Sequence, residues 1–148
     1  MRAKVTDFKI NDLKKFECRD RLPNLMKSMQ LNLKNPYRKL LSIWTDDNKL
    51  LFIGGINEIH NGVGEAWMIG SKDIEGNKYT TFYMASKLID FCFLNLNYHR
   101  VQIAVDPKWD SGLKWASKLG FTLEGLARGY SYNGEDHYMF ARVKRRVV

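Results

Sequence analysis

Proline, cysteine and histidine are scarce in this 148-residue chain, which holds three prolines, two cysteines and three histidines. Cys18 and Cys92 are too few for a disulfide scaffold and match no Cys-x-x-Cys metal or redox spacing. Cys92 lies in an apolar run and reads as a core thiol, which suits a reducing compartment. Long apolar runs are missing too: the longest, near Phe91-Cys92-Phe93-Leu94, is far below the ~20 residues of a membrane span. The opening Met1-Arg2-Ala3-Lys4 leads into mixed polar sequence, so no secretory leader is expected. No repeat, low-complexity tract or Pro/Gly linker divides the chain. The expectation is one soluble domain, residues 1–148, in the cytoplasm, with no metal.

Hydrophobic residues make up 45% of the chain and aromatics 13%, enough for a sizeable core and too many for a disordered one. Twenty-four Lys and Arg against 16 Asp and Glu leave a net charge of +8. That balance favours acidic partners, whether ligand phosphates, nucleic acid or an acidic protein face. The run Arg142, Lys144, Arg145, Arg146 reads as a solvated tail. Trp44, Trp67, Trp109 and Trp115 fall at sheet and helix spacings and read as core rather than as a stacking platform for bases.

Val5 to Ile10 reads as a first strand, and Asn11 then caps a helix through Leu13, Phe16 and Cys18. A second helix opens at Pro23 and carries Leu25, Met26, Met29 and Leu33 at helical spacing. Strands follow at Leu40–Trp44, Leu50–Ile59 and Glu65–Ile69. The Asn61-Gly62 pair between the last two predicts a hairpin with positive φ at both turn positions. A long helix over Tyr79–Asn95, capped by Asn77 or Thr80, buries Phe82, Ala85, Leu88, Ile89 and Cys92. Arg100–Val105 alternates as a strand, a helix from Asp110 stops at Gly120, and Phe121–Leu126 and His137–Val143 are strands about a second Asn-Gly turn at Asn133-Gly134. The order β-α-α-β-β-β-α-β-α-β-β predicts a mixed α/β (α+β) sheet with helices on its faces.

With that order, the run Lys118-Leu119-Gly120-Phe121, Glu124-Gly125, Arg128, Tyr130, Asn133-Gly134 and Asp136 resembles the ribosomal-protein branch of the GNAT superfamily of N-acetyltransferases. Glu65-Ala66-Trp67-Met68-Ile69-Gly70-Ser71 is similar to the family's fourth strand, which carries a glutamate and then splays away to admit acetyl-CoA. These segments also resemble acetyltransferase-like proteins of tailed phages. The resemblance implies the acyl-CoA N-acyltransferase fold and transfer of an acetyl group to a primary amine of a protein N-terminus, a lysine or a small molecule. Acetyl-CoA is the acyl donor, and the amine attacks it directly. The alternative implied is a GNAT-fold phage protein of weak or absent activity that binds a partner through its basic surface, with nucleic acid ranked behind. An amine acceptor and a second copy in a homodimer are the expected partners.

The resemblance also assigns residues. Glu65 takes the amine proton; beside that assignment, strand alternation puts Glu58 and His60 on one face of the neighbouring strand, where they either line the cleft, with Glu58 as a second base, or form a solvated hairpin end. Tyr130 and Tyr132 flank the substrate side of the last hairpin, and Tyr130 supplies the acid. Met68, Ile69, Gly70 and Ser71 meet the pantetheine arm, Gly76, Asn77, Lys78 and Thr80 the pyrophosphate, and Trp109 also lies on the cofactor. The chain departs from the family in two places. The glycine-rich phosphate loop is replaced by Asp73-Ile74-Glu75-Gly76-Asn77-Lys78-Tyr79-Thr80, with one glycine. Trp109 and Ala116 stand where the last helix usually carries Asn and a proton-donating Tyr.

Overall fold

In the computed structural model the described residues are 3–15 and 38–144, excluding the side chains of Arg38 and Lys39. The strands are β1 (Ala3–Asp7), β2 (Arg38–Thr45), β3 (Leu50–His60), β4 (Val63–Gly70), β5 (Arg100–Val105), β6 (Thr122–Ala127) and β7 (His137–Val143). The helices are α1 (Lys78–Leu94) and α2 (Asp110–Lys118), with short 3-10 turns at Ile10–Lys15 and Lys72–Ile74. The strands form a seven-stranded mixed sheet in the order β1-β2-β3-β4-β5-β7-β6. From β2 onward the element order is the expected one. The first strand sits earlier than Val5–Ile10, because Ile10 already belongs to a 3-10 turn. The helices expected past Phe16 and over Pro23–Leu33 lie outside the described residues.

Two compact units are distinguished: Met1–Glu58 with Trp67–Ala85, and Ile59–Ala66 with Ser86–Val148. In the first, β1 pairs antiparallel with β2 and β2 with β3. Leu50, Leu51, Phe52 and Ile53 are consecutive and all buried, so β3 is covered on both faces and its sequence shows no polar alternation. Trp44, Leu50 and Ile53 anchor a cluster onto which Phe8, Leu13, Trp67 and Ile69 pack. Full burial of each such side chain is worth about 1.5–3 kcal/mol.

In the second unit β4 runs parallel to β5, and β7 lies antiparallel between β5 and β6. Val101, Phe140, Ile89 and Cys92 are buried, as the strand and helical periodicities predict; Phe93 is buried as well, while Phe82 and Leu88 are only partly so. Arg142 on β7 pairs with Asp90 of α1 at 3.1 Å and lies over the Phe93 ring, so α1 covers the face of Val101 and Phe140. The opposite face carries Arg100, Gln102 and Ala104.

Both Asn-Gly turns differ from the expectation in one respect. Gly62 and Gly134 have positive φ, 84° and 82°, but neither Asn61 nor Asn133 does. At the second turn Gly134 N–H donates to the Ser131 carbonyl at 2.9 Å. Asn133-Gly134 therefore occupies the third and fourth turn positions, with glycine as the left-handed residue that closes the turn, rather than the central pair of a type I′ turn.

Candidate active site

The parallel register sets Glu65 opposite Gln102, and the next ladder sets Gln102 opposite Ala141. Residues directly opposite share a face, so one row crosses β4, β5 and β7. Within it Gln102 Nε2 donates to Glu65 Oε1 at 3.3 Å. Arg100, two residues earlier on the same face, donates through Nε to Gln102 Oε1 at 3.2 Å. The Arg100 guanidinium forks onto Glu124, with Nη1–Oε2 at 3.0 Å and Nη2–Oε1 at 2.6 Å. Glu124 occupies the register shift of β6 between Leu123 and Gly125, while Ala141, opposite Gln102, pairs on its other side with Thr122. Arg100 bonds Glu124 and holds its carboxyl below the usual range, while Glu124 pushes the guanidinium further up.

Tyr130 completes the group. It lies in the 128–136 connection, which Gly129 opens with a left-handed φ of 62° while its N–H donates to Asp136 Oδ1 at 2.8 Å. The Tyr130 ring is tilted against His137, centroids 5.3 Å apart, and its hydroxyl bonds Glu65. Burial above all, then that hydrogen bond and the Glu65 charge, push the phenol well above its ordinary value. Its proton therefore stays on oxygen and is donated to the Glu65 carboxylate. His137 Nδ1 is buried without a partner among the described residues.

The expected cofactor segment belongs to the first unit. Ser71 is buried, its N–H on the Leu51 carbonyl at 2.8 Å and its hydroxyl accepting from Asp73 N–H at 3.2 Å. A methyl on Gly70 would collide with Ile74 Cδ1, so this glycine makes room for the buried Ile74 side chain. Ile69 packs on the Trp44 cluster, and Met68 is half-buried. The Asn77 side chain donates back to the Asp73 carbonyl at 2.9 Å instead of capping forward, and Thr80 is buried inside the first turn of α1. Lys78 and Tyr79 follow with first-turn N–H groups that no helix carbonyl reaches. A side chain on Gly76 would meet nothing within 4 Å. Glu75 is paired with Lys78 at 3.3 Å, and the first turn of α1 carries no acid. The segment thus fits an anion at Gly76–Tyr79.

No family model matches the chain. Among curated proteins it is similar to an uncharacterized N-acetyltransferase, p20 of Bacillus licheniformis, at 40% identity over 65 residues. That match covers 42% of this chain and 36% of p20, so the chain spans about a third of its relative's length. Among solved structures, spermidine N-acetyltransferase of Vibrio cholerae in complex with CoA and spermine superposes with a TM-score of 0.73. The identity is 15%, over 96% of this chain and 95% of that one. A chimeric form of that enzyme gives 0.76 at 14% identity over 95% of both chains. The ribosomal-protein-S5-alanine acetyltransferase of Vibrio fischeri gives 0.69 at 18% identity, over 96% and 93%. The chain has the GNAT fold.

Within that fold the remaining candidates are placed as follows. Glu58 and His60 are both exposed near the end of β3. Trp109 precedes α2 without a side-chain cap, and its indole lies against Gly112, one turn on. It is 40% exposed, so it is not the core tryptophan its spacing suggested. Ala116 is buried, so α2 offers no acid at that position. Tyr132 is exposed in the same connection as Tyr130. Sequence reasoning brought out Glu65, Tyr130 and Glu124 but passed over Gln102 and Arg100. Their signal was the polar side of the alternating strand Arg100–Val105. Among the described residues no group of three His, Cys, Asp or Glu is placed to hold a metal, and no helix is long and apolar enough to cross a membrane.

Proposed function

We propose that the chain is an acetyl-CoA-dependent N-acetyltransferase acting on a primary amine, with Glu65 as general base. The observation that carries the reading is the Glu65 carboxylate, half-buried and held between Gln102 and Tyr130 on the strand that leads to Gly70, in a chain with the GNAT fold. Acetyl-CoA supplies the acetyl group as a thioester, whose C–S bond breaks as the N–C bond forms. Glu65 accepts the proton that the amine nitrogen loses. Tyr130 keeps its proton because burial, and then the neighbouring Glu65 carboxylate, disfavour a phenolate. Burial still acts once Glu65 is protonated, so the hydroxyl passes a proton on only as it receives another. Tyr130 then gives its proton to the departing sulfur and takes the one on Glu65, standing in for the tyrosine that Ala116 replaces. Gly76, Lys78 and Tyr79 hold the pyrophosphate through backbone N–H groups, and Met68 to Ser71 border the pantetheine arm. The named relatives act on spermidine and on a ribosomal protein, which makes a small polyamine and a protein N-terminus the first acceptors to try.

A GNAT-fold binding module is the second reading, favoured by the buried Ala116 and by the Asn77 side chain turned into its own loop. Thermal unfolding tests the acetyl-CoA binding that the first reading requires. Acetyl-CoA at ~100 times its dissociation constant should add about 2.7 kcal/mol to stability, raising Tm. No response at millimolar acetyl-CoA would remove the enzyme reading.

A further inference from the structure

Gln102 touches Glu65 on one side and Arg100 on the other, and the chemistry of those neighbours fixes which way its amide faces. Arg100 has only donors, so the amide oxygen must point to Arg100 Nε. The –NH2 group is then committed to Glu65. Glu124 holds both terminal nitrogens of Arg100 in a two-point fork, which favours the guanidinium orientation that faces the amide. The chain of contacts therefore runs one way, from a carboxylate on β6 through a guanidinium and an amide on β5 to a carboxylate on β4.

We infer that Gln102 is a positioning residue for Glu65, and that the Arg100–Glu124 fork fixes its orientation. This rests on Glu65 being the base. Gln102 supplies a donor that pins one carboxylate oxygen, Oε1, and sets the plane in which the other lone pairs meet the amine. It also directs the proton. With its oxygen turned to Arg100 and its –NH2 end to Glu65, the amide presents no acceptor to protonated Glu65, so the proton leaves toward Tyr130 or water. A surface arginine pair alone would be worth little. Its consequence here is the direction of an amide.

The test is steady-state kinetics on Gln102→Met, Arg100→Met and their double variant, with Tm recorded for each. Gln102→Met keeps the volume and removes both hydrogen bonds. Loss of one hydrogen bond to a charged group should lower kcat about tenfold, with KM for acetyl-CoA unchanged. Arg100→Met should lower kcat less, and the double variant no more than Gln102→Met, because Arg100 acts through Gln102. Losses that multiply in the double variant, or a wild-type kcat in Gln102→Met, would overturn the inference. Should Gln102→Met not fold, Gln102→Glu retains the acceptor for Arg100 and abolishes the donor for Glu65. It should lose at least as much, and a wild-type kcat there would equally overturn the inference. Glu65→Gln assayed alongside separates the two readings. If it is slow while the Gln102 variants are not, Gln102 has no positioning role; if it is as fast as wild type, the base is not Glu65.

Discussion

Replacing Glu65 by glutamine changes one atom of the side chain and leaves its length, volume and strand position as they are. The new amide oxygen still accepts from Gln102 Nε2 or from Tyr130, so the row across β4, β5 and β7 remains filled. What is lost is the capacity to take a proton. General-base catalysis is worth about 10²–10⁴-fold, so the barrier should rise by roughly 3–5 kcal/mol. The assay is initial-rate release of free thiol from acetyl-CoA with spermidine and an N-terminal peptide as acceptors. It is run from neutral to alkaline pH, with acetyl-CoA binding measured separately. Turnover should fall within that range while acetyl-CoA affinity is unchanged. The defect should narrow as the pH rises and the amine arrives already neutral. A Glu65→Gln variant with wild-type turnover at neutral pH would refute the reasoning and turn attention to the exposed Glu58.

Four further outcomes follow from the geometry. Gly76→Val should fold normally, since nothing lies within 4 Å of the added carbon and its φ is not left-handed, yet should weaken acetyl-CoA binding about tenfold for each phosphate hydrogen bond it disrupts; calorimetric titration decides it. Gly62→Ala should lower Tm, because φ is +84° and the new methyl would lie 2.5 Å from His99 Nδ1, a combined cost of about 1–3 kcal/mol in thermal unfolding. Arg100 lowers the carboxyl of Glu124, so the pair stabilises the fold above about pH 4.5 and loses that contribution as pH falls through the depressed folded value. The Tm gap between wild type and Glu124→Gln should therefore be open at neutral pH and close in acid. Tyr130 should stay protonated at about pH 11, where ordinary tyrosines ionise, so Tyr130→Phe should leave the tyrosinate absorbance there nearly unchanged rather than remove one tyrosine's share.

What the sequence disclosed and what it concealed divide along physical lines. The buried run of β3, the helical stripe of α1 and the stop at Gly120 were legible because burial and backbone conformation leave periodic marks. The Asn-Gly pairs located both turns but not their geometry, since the same dipeptide suits a central pair or a closing left-handed glycine. Gly70 looked like an opening for a ligand, and the contact that requires it is Ile74, four residues ahead, which no local pattern encodes. Trp109 had a core spacing, and its indole covers Gly112 at the surface instead. Glu65 and Tyr130 were found through their motifs. Gln102 and Arg100 were not, because their part depends on a register between β4 and β5 that lie 35 residues apart in sequence, from Glu65 to the start of β5 at Arg100.

The proposed reaction moves an acetyl group from acetyl-CoA to an amine. Mass spectrometry of the acceptor after incubation with wild-type protein and isotopically labelled acetyl-CoA tests it most directly, with spermidine, a lysine peptide and an alanine-terminated peptide offered together. One labelled acetyl group is expected on at least one amine, in an amount that rises with protein concentration and falls to background with Glu65→Gln. Unlabelled acceptors throughout, in a sample whose Tm acetyl-CoA does raise, would contradict it and leave a GNAT-fold protein that binds the thioester without transferring its acetyl group.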